Sequence, residues 1–374
     1  MEFGDLISQK KEIYATILEY IDKGDHKELI ENLEKFHIHE DRNQFIVFLR
    51  LISKISKNHH RDTLFFDKFE QIFLFYSIQI KEIFSNFEIF KIFKNNPRIL
   101  LLLIKHNILI LDKSLISTFL QHNNNYRYYF YSEIKSVIDT EQSQEIEQEL
   151  LAVNSNIFDN FDEKCKLGEN HSYICSLIRN DNVKEFVSYV NQKCINLRTR
   201  KIKHSIFETN PFFKNSSPTL IEYATFFGSI QIFNYLRMNK VELSSSLWIY
   251  AIHSNNAEMI HLLEQYHVKP IDSSYEDCFK EAVKCHHNNV ANYILNNFIQ
   301  KDVSNASISF ALQFHNFEFL DEIKDTHSFF NLACKYDYVD IVKFIFNSNK
   351  SFGQSLTAIS NKCENFMMFL FSLF

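Results

Sequence analysis

Four side chains of the kinds that hold metals or attack electrophiles crowd into residues 278–287: Cys278, Cys285, His286 and His287. A structural zinc site wants two close pairs, such as two cysteines a few residues apart followed by two histidines three to five apart. Here the cysteines are too far apart and the histidines are adjacent. Cys278 stands just before an aromatic that recurs in a repeated frame, and the two histidines fall at a turn, so we read all four as scaffold. His37, His39 and Glu40 form a polar junction after a helix, and His59, His60 and Arg61 read as a loop. Arg198, Arg200, Lys201 and Lys203, with Phe207 and Phe212 nearby, could meet a polyanion, but they read as a solvated insertion. No phosphate-cradling or dinucleotide glycine motif, nucleophile elbow or metalloprotease helix is present, and only 5 glycines occur in all. The expectation is therefore no catalytic residue, no cofactor and no metal.

What must position these residues is a recurring alanine. Ala224, Ala251, Ala282, Ala311 and Ala333 share one apolar frame. Three residues before each stand Ile221, Trp248, Phe279, Ile308 and Phe330. Eight after come Ile232, Met259, Val290, Phe319 and Ile341, and nine after come Phe233, Ile260, Ala291, Leu320 and Val342. Twelve after come Leu236, Leu263, Ile294, Ile323 and Ile345. All are apolar in a chain that is 45% hydrophobic. A helix pair that buries its apolar face only against neighbouring copies leaves this trace.

Each unit can be read residue by residue. Thr219, Ser246, Asp277 and Ser328, five before the alanine, are expected N-caps, with Ser304 or Asn305 standing in for Ala306. Four after the alanine come Gly228, Asn255, His286, His315 and Asp337. Gly and Asn accept the left-handed backbone that ends a helix, and Asp and His less readily. The triplet at plus eight, nine and twelve then makes one face of a second helix. Leu177–Tyr189 supplies a first, imperfect unit, with Leu177 in place of the alanine and Val183, Phe186 and Tyr189 expected on its packing face.

The pattern resembles the ankyrin repeat, whose signature opens T-P-L-H-x-A and closes on V-V-x-x-L-L. The closest copies are SFFNLACKYDYVDIVKFI (residues 328–345) and TLIEYATFFGSIQIFNYL (219–236). The alanines stand 27, 31, 29 and 22 residues apart, against about 33 in an ordinary unit. The proline is missing from all five, and the missing residues imply short connections between units. The block from Ile174 to about Asn297 also looks like a domain of unknown function that accompanies ankyrin arrays in protist protein families. That family has no established activity and implies architecture alone. The ankyrin fold would place residues two past each alanine on its concave side, which makes Phe226, His253, Lys284, Gln313 and Lys335 the expected partner-facing set.

Composition agrees with a mostly helical chain: 374 residues hold only 5 Gly and 4 Pro. The 39 phenylalanines read as core filling, and a net charge of −6 offers no broad field for nucleic acid. Seven cysteines with no C-x-x-C fit a reducing compartment. Without a signal-like start or an apolar run long enough to span a bilayer, a cytoplasmic protein is expected. The expected fold is an all-α, ankyrin-like helical repeat solenoid with an irregular helical N-terminal region over 1–138. A polar acidic linker follows over 139–170, then repeats over 171–350 interrupted by an insertion at 191–217. Residues 351–374 read as a truncated last repeat or apolar tail, whose FMMFLFSLF run (366–374) is a possible self-association patch. The function implied is a non-catalytic protein–protein interaction scaffold. The alternatives are a two-part adaptor with its own site in residues 1–138, and an unrecognised enzyme or metal protein.

Overall fold

The computed structural model describes residues 3–348 apart from 63, 122–124, 215, 272, 300–303 and 321–325. Among these the chain forms twenty-three α-helices and two 3-10 turns. Extended pairing among the described residues amounts to an isolated antiparallel bridge between Lys201 and Thr219. The all-α expectation is met. No helix of the described residues is long and apolar enough to cross a membrane. The tail 351–374, and the self-association expected of it, lie outside the described residues.

The helices gather into two compact units that do not follow chain order. A central unit takes Ser56–His60 and Tyr76–Cys278, and a terminal unit takes Met1–Ile55, Arg61–Phe75 and Phe279–Phe374. The divisions 1–138, 139–170 and 171–350 therefore do not mark compact units, because the first helices pair with the last repeats through contacts no local pattern reveals.

The aromatic stretch 69–93 is broken into helices, of which Ser77–Ile83 and Asn86–Phe93 lie in the central unit. Phe84 ends the first and Ser85 starts the second, accepting from the amide of Glu88 while its own amide donates to the Glu88 carboxylate at 2.9 Å. Asn96 caps Pro97–Lys105, accepting from the amide of Ile99 at 3.3 Å, with Pro97 at the first helical position. Phe119 stacks on Phe130 at 4.6 Å to centre the aromatic core. The stretch 139–170 is no linker. Thr140–Val153 buries Ile146 and Leu150, spaced one helical turn apart among glutamates, and Phe161–Leu167 buries Phe161 and Cys165. The Tyr129 hydroxyl then donates to the Cys165 carbonyl at 2.6 Å.

Three helix pairs complete this unit: Tyr173–Arg179 with Val183–Gln192, Leu220–Phe226 with Ile230–Met238, and Leu247–Ser254 with Ala257–Gln265. First helices pack on first helices, and Val183–Gln192 packs on Ile230–Met238. The first pair packs through Phe186 and Val190, whereas Val183 and Tyr189 are only half-buried. The terminal unit holds Glu276–Cys285 (from Phe279 onward) with Asn288–Asn297, Ser304–Phe314 with the 3-10 turn Phe317–Phe319, and Thr326–Lys335 with Val339–Ser348. All five frame alanines are fully buried at 0% exposure, and every other described frame residue is buried too. Ile323 lies outside the described residues. Between Ala311 and Ala333 the chain is shortest, and the described part of that second element is a single 3-10 turn rather than a helix.

The caps are less regular than the frame. Thr219 forms a full capping box with Glu222. Ser246 adopts helical angles, and its hydroxyl donates to Glu222 at 2.7 Å instead. Asp277 and Ser328 sit inside helices that begin at Glu276 and Thr326.

Candidate interaction surfaces

The surfaces are set by the turns between paired helices. Gly228, Asn255, His286, His315 and Asp337 all take the left-handed backbone, with φ of 67°, 48°, 60°, 58° and 62°. Asp181 holds the same place in the imperfect unit with φ of 46°. The cause is a Schellman closure. The amide five past the alanine bonds back to the alanine carbonyl, from Ser229 to Ala224, His287 to Ala282, Asn316 to Ala311 and Tyr338 to Ala333. Side chains at that same position reach back to the preceding pair. Ser229 donates to the Ile178 carbonyl at 2.6 Å, Asn316 to Val283 at 2.9 Å and Tyr338 to Leu312 at 2.9 Å.

With the Ser229 hydroxyl so engaged, Asp181 caps the helix Ile230–Met238 from the neighbouring pair. Its carboxylate accepts from the amides of Gln231 and Ile232, both at 2.9 Å, where the helix terminus favours a negative charge. Asp181→Gly keeps a relaxed left-handed backbone and deletes only the cap. We expect it to cost about 0.5–2 kcal/mol. An unchanged urea midpoint would show that this cap carries no stability.

In the terminal unit the turn row is covered by the chain's own first helices. Tyr14, on Phe3–Lys23, has its hydroxyl 3.3 Å from His286 Nδ1 and accepts from Asn288 Nδ2 at 3.0 Å. Arg50, on Arg42–Asn58, donates to the Asp337 carboxylate at 2.7 Å and lies 3.4 Å from its carbonyl. Lys10 pairs with Asp340. His315 is buried beneath this layer against Tyr338, with Nδ1 and the hydroxyl 2.6 Å apart. Since the Tyr338 proton goes to Leu312, Nδ1 of His315 donates. Burial, then the charges of Lys54 and Arg50, hold His315 well below the ordinary histidine range.

The five expected partner-facing residues divide. Phe226 and His253 are buried, stacked on each other at 4.8 Å, with Phe212 of the insertion 4.3 Å from His253. They are part of an aromatic core and cannot face a partner. Lys284 and Gln313 are half-buried and Lys335 is exposed. Lys284 pairs with Glu281 at 2.7 Å one turn earlier.

What covers Phe226 and His253 is the insertion, which is not the solvated loop its composition suggests. Ile202, Phe207 and Phe213 are buried, as are Ser205, Glu208, Thr209 and Asn210. Both oxygens of Glu208 accept amides, from Asn170 at 3.2 Å and Asn210 at 2.8 Å. Thr209 donates to the Gly168 carbonyl through both its amide and its hydroxyl, at 3.0 and 2.8 Å. Gly168 is left-handed, and a Cβ there would sit 2.8 Å from Arg98 and 2.9 Å from Thr209, so only glycine allows this approach. Beneath, Arg179 donates to the Asn170 carbonyl at 2.7 Å and to Tyr223 at 3.1 Å, beside the fully buried Cys175.

Cysteine, arginine, tyrosine and glutamate together invite a catalytic reading. Burial pushes both the Cys175 thiol and the Tyr223 hydroxyl up, so both stay protonated near neutral pH. The hydrogen bonds of the cluster tie the insertion to Asn170 and to the first two helix pairs. No sequence signal joined Glu208 to Asn170 or Arg179 to Tyr223, because each pair is separated by tens of residues. Cys278, Cys285, His286 and His287 are all buried, and burial also pushes the Cys285 thiol up. His37 and Glu40 form an exposed pair at 3.1 Å.

Comparison of the chain with protein-family models, with curated proteins and with solved structures finds no match in any of the three.

Proposed function

We propose that this chain is a non-catalytic protein-binding scaffold whose helix pairs are ankyrin-like units of a solenoid. The observation that carries the reading is the fully buried alanine frame with one Schellman turn repeated after it. That arrangement gives packing a fixed identity and leaves outward positions free to vary. The partner-facing set is then narrowed to Lys284, Gln313 and Lys335 of the terminal unit. Six free cysteines among the described residues fit the proposed cytoplasmic setting.

A two-part adaptor is the second reading, favoured by Phe87 and Ile110. They are 60% and 62% exposed, and Asn86, next to Phe87, hydrogen-bonds the Ile110 backbone. Affinity capture with the full chain separates the readings. A protein held by the wild type and lost on Lys335→Glu with Gln313→Glu supports the first. Loss on Phe87→Ser with Ile110→Ser instead supports the second. Absence of any stoichiometric protein partner would overturn both.

A further inference from the structure

The connection over residues 193–219 carries more than a repeat array needs. Loops beyond about 12–15 residues without helices or strands of their own are uncommon, and usually functional or disordered. This one is ordered. Ile202 and Phe207 are buried, the Ile202 amide donates to the Pro218 carbonyl at 2.7 Å, and Asn170 Nδ2 donates to the Lys203 carbonyl at 2.8 Å. At its tip the amide of Arg198 bonds the Asn196 side chain and the amide of Arg200 bonds the Asn196 carbonyl, both at 3.0 Å. The buried anchors thus hold a ridge whose charged side chains all point outward: Lys193, Arg198, Arg200, Lys201 and Lys203 are exposed.

Among the described residues no acid pairs with that ridge. Residues 186–207 contain no Asp or Glu, and the next acid, Glu208, is buried and engaged with backbone amides. Among the described residues none of the five cations makes an ion pair. Charge is screened within about 8 Å at physiological salt, so this local field acts independently of the net negative chain.

We propose that the Arg198–Lys203 ridge is a docking surface for an acidic segment of a partner protein. The inference rests on the scaffold reading and names one kind of partner for it. Two arginine forks match carboxylates bidentately. Single-stranded nucleic acid needs aromatic faces on which bases stack. Phe207 is buried, and Phe212 is wedged among Phe226, Tyr250 and His253, so neither is free for stacking. An anionic bilayer calls for exposed apolar side chains beside the cations, and neither Ile195 nor Leu197, which flank them, is exposed.

The test uses a fluorescein-labelled deca-glutamate peptide with the full chain and with a variant carrying Arg198→Gln, Arg200→Gln, Lys201→Gln and Lys203→Gln. The peptide should bind the wild type, lose affinity as salt rises, and bind the variant about tenfold or more weakly. The thermal midpoint should not move, because all four side chains are exposed. Equal binding by both chains, or no salt dependence of wild-type binding, overturns the ridge. It also falls if a labelled oligothymidylate or phosphatidylserine vesicles bind more tightly than the peptide and lose that binding in the variant. If a captured protein partner survives the four substitutions, the ridge fails while the scaffold reading stands.

Discussion

Truncating Trp248 to alanine is expected to destabilise the central unit by about 3–5 kcal/mol, the range for emptying a buried aromatic site. The chain's single tryptophan is 1% exposed, donates from Nε1 to the Val268 carbonyl at 2.7 Å and meets Tyr275 edge-on at 5.0 Å. Its loss leaves a cavity and an unmatched carbonyl where the first helix of a pair meets the loop after its second. Trp248→Phe keeps most of the packing and isolates the hydrogen bond, with an expected cost of about 1–3 kcal/mol. Far-ultraviolet circular dichroism in urea reads both. A cost for Trp248→Ala below that of Asp181→Gly would show that the position is not the core site the frame assigns.

Acid should weaken the terminal unit in a window set by His315. Its folded pKa lies well below the ordinary value, so the unfolded chain takes up a proton that the folded chain refuses. Stability from this group is fully present above the unfolded histidine value, about 6.5, and is lost as pH falls from there toward the folded value. The slope is at most about 1.4 kcal/mol per pH unit. His315→Asn is the informative variant, because asparagine tolerates the left-handed backbone and can still bond Tyr338. Its stability should fall less steeply than the wild type's below that value. Parallel curves would mean that other groups carry the acid sensitivity.

The repeated frame was legible because packing writes itself at short range. An alanine, an apolar residue one turn before it and a triplet one helix later are all set by 3.6-residue periodicity. The turns were half legible. Gly228 and Asn255 announce a left-handed residue, whereas His286, His315 and Asp337 are held there by the Schellman bond against their own preference. Ser85 and Glu88 form a capping box that local reading could have found within the aromatic stretch. Ser246 shows the opposite error, since a serine well placed for a cap is turned toward Glu222. What stayed hidden is long range. Tyr14 meets His286, and Arg50 meets Asp337, across more than 270 residues. The insertion misled for the same reason: its polar residues read as solvated until Gly168 and Asn170 supply the partners that let them be buried.

A terminal unit drawn from both ends of the sequence has a consequence for how the chain is made. Tyr14, Lys10 and Arg50 leave the ribosome long before His286, Asp340 and Asp337, with the central unit's residues 76–278 translated in between. At about 5–20 residues per second, that interval lasts on the order of 10–40 seconds. Throughout it the apolar stripe of Phe3–Lys23 has no repeat to cover it, while the central unit's residues are already available to one another. The nascent chain is therefore exposed to aggregation at Phe3–Lys23, and chaperones that bind short apolar helices have their longest opportunity there.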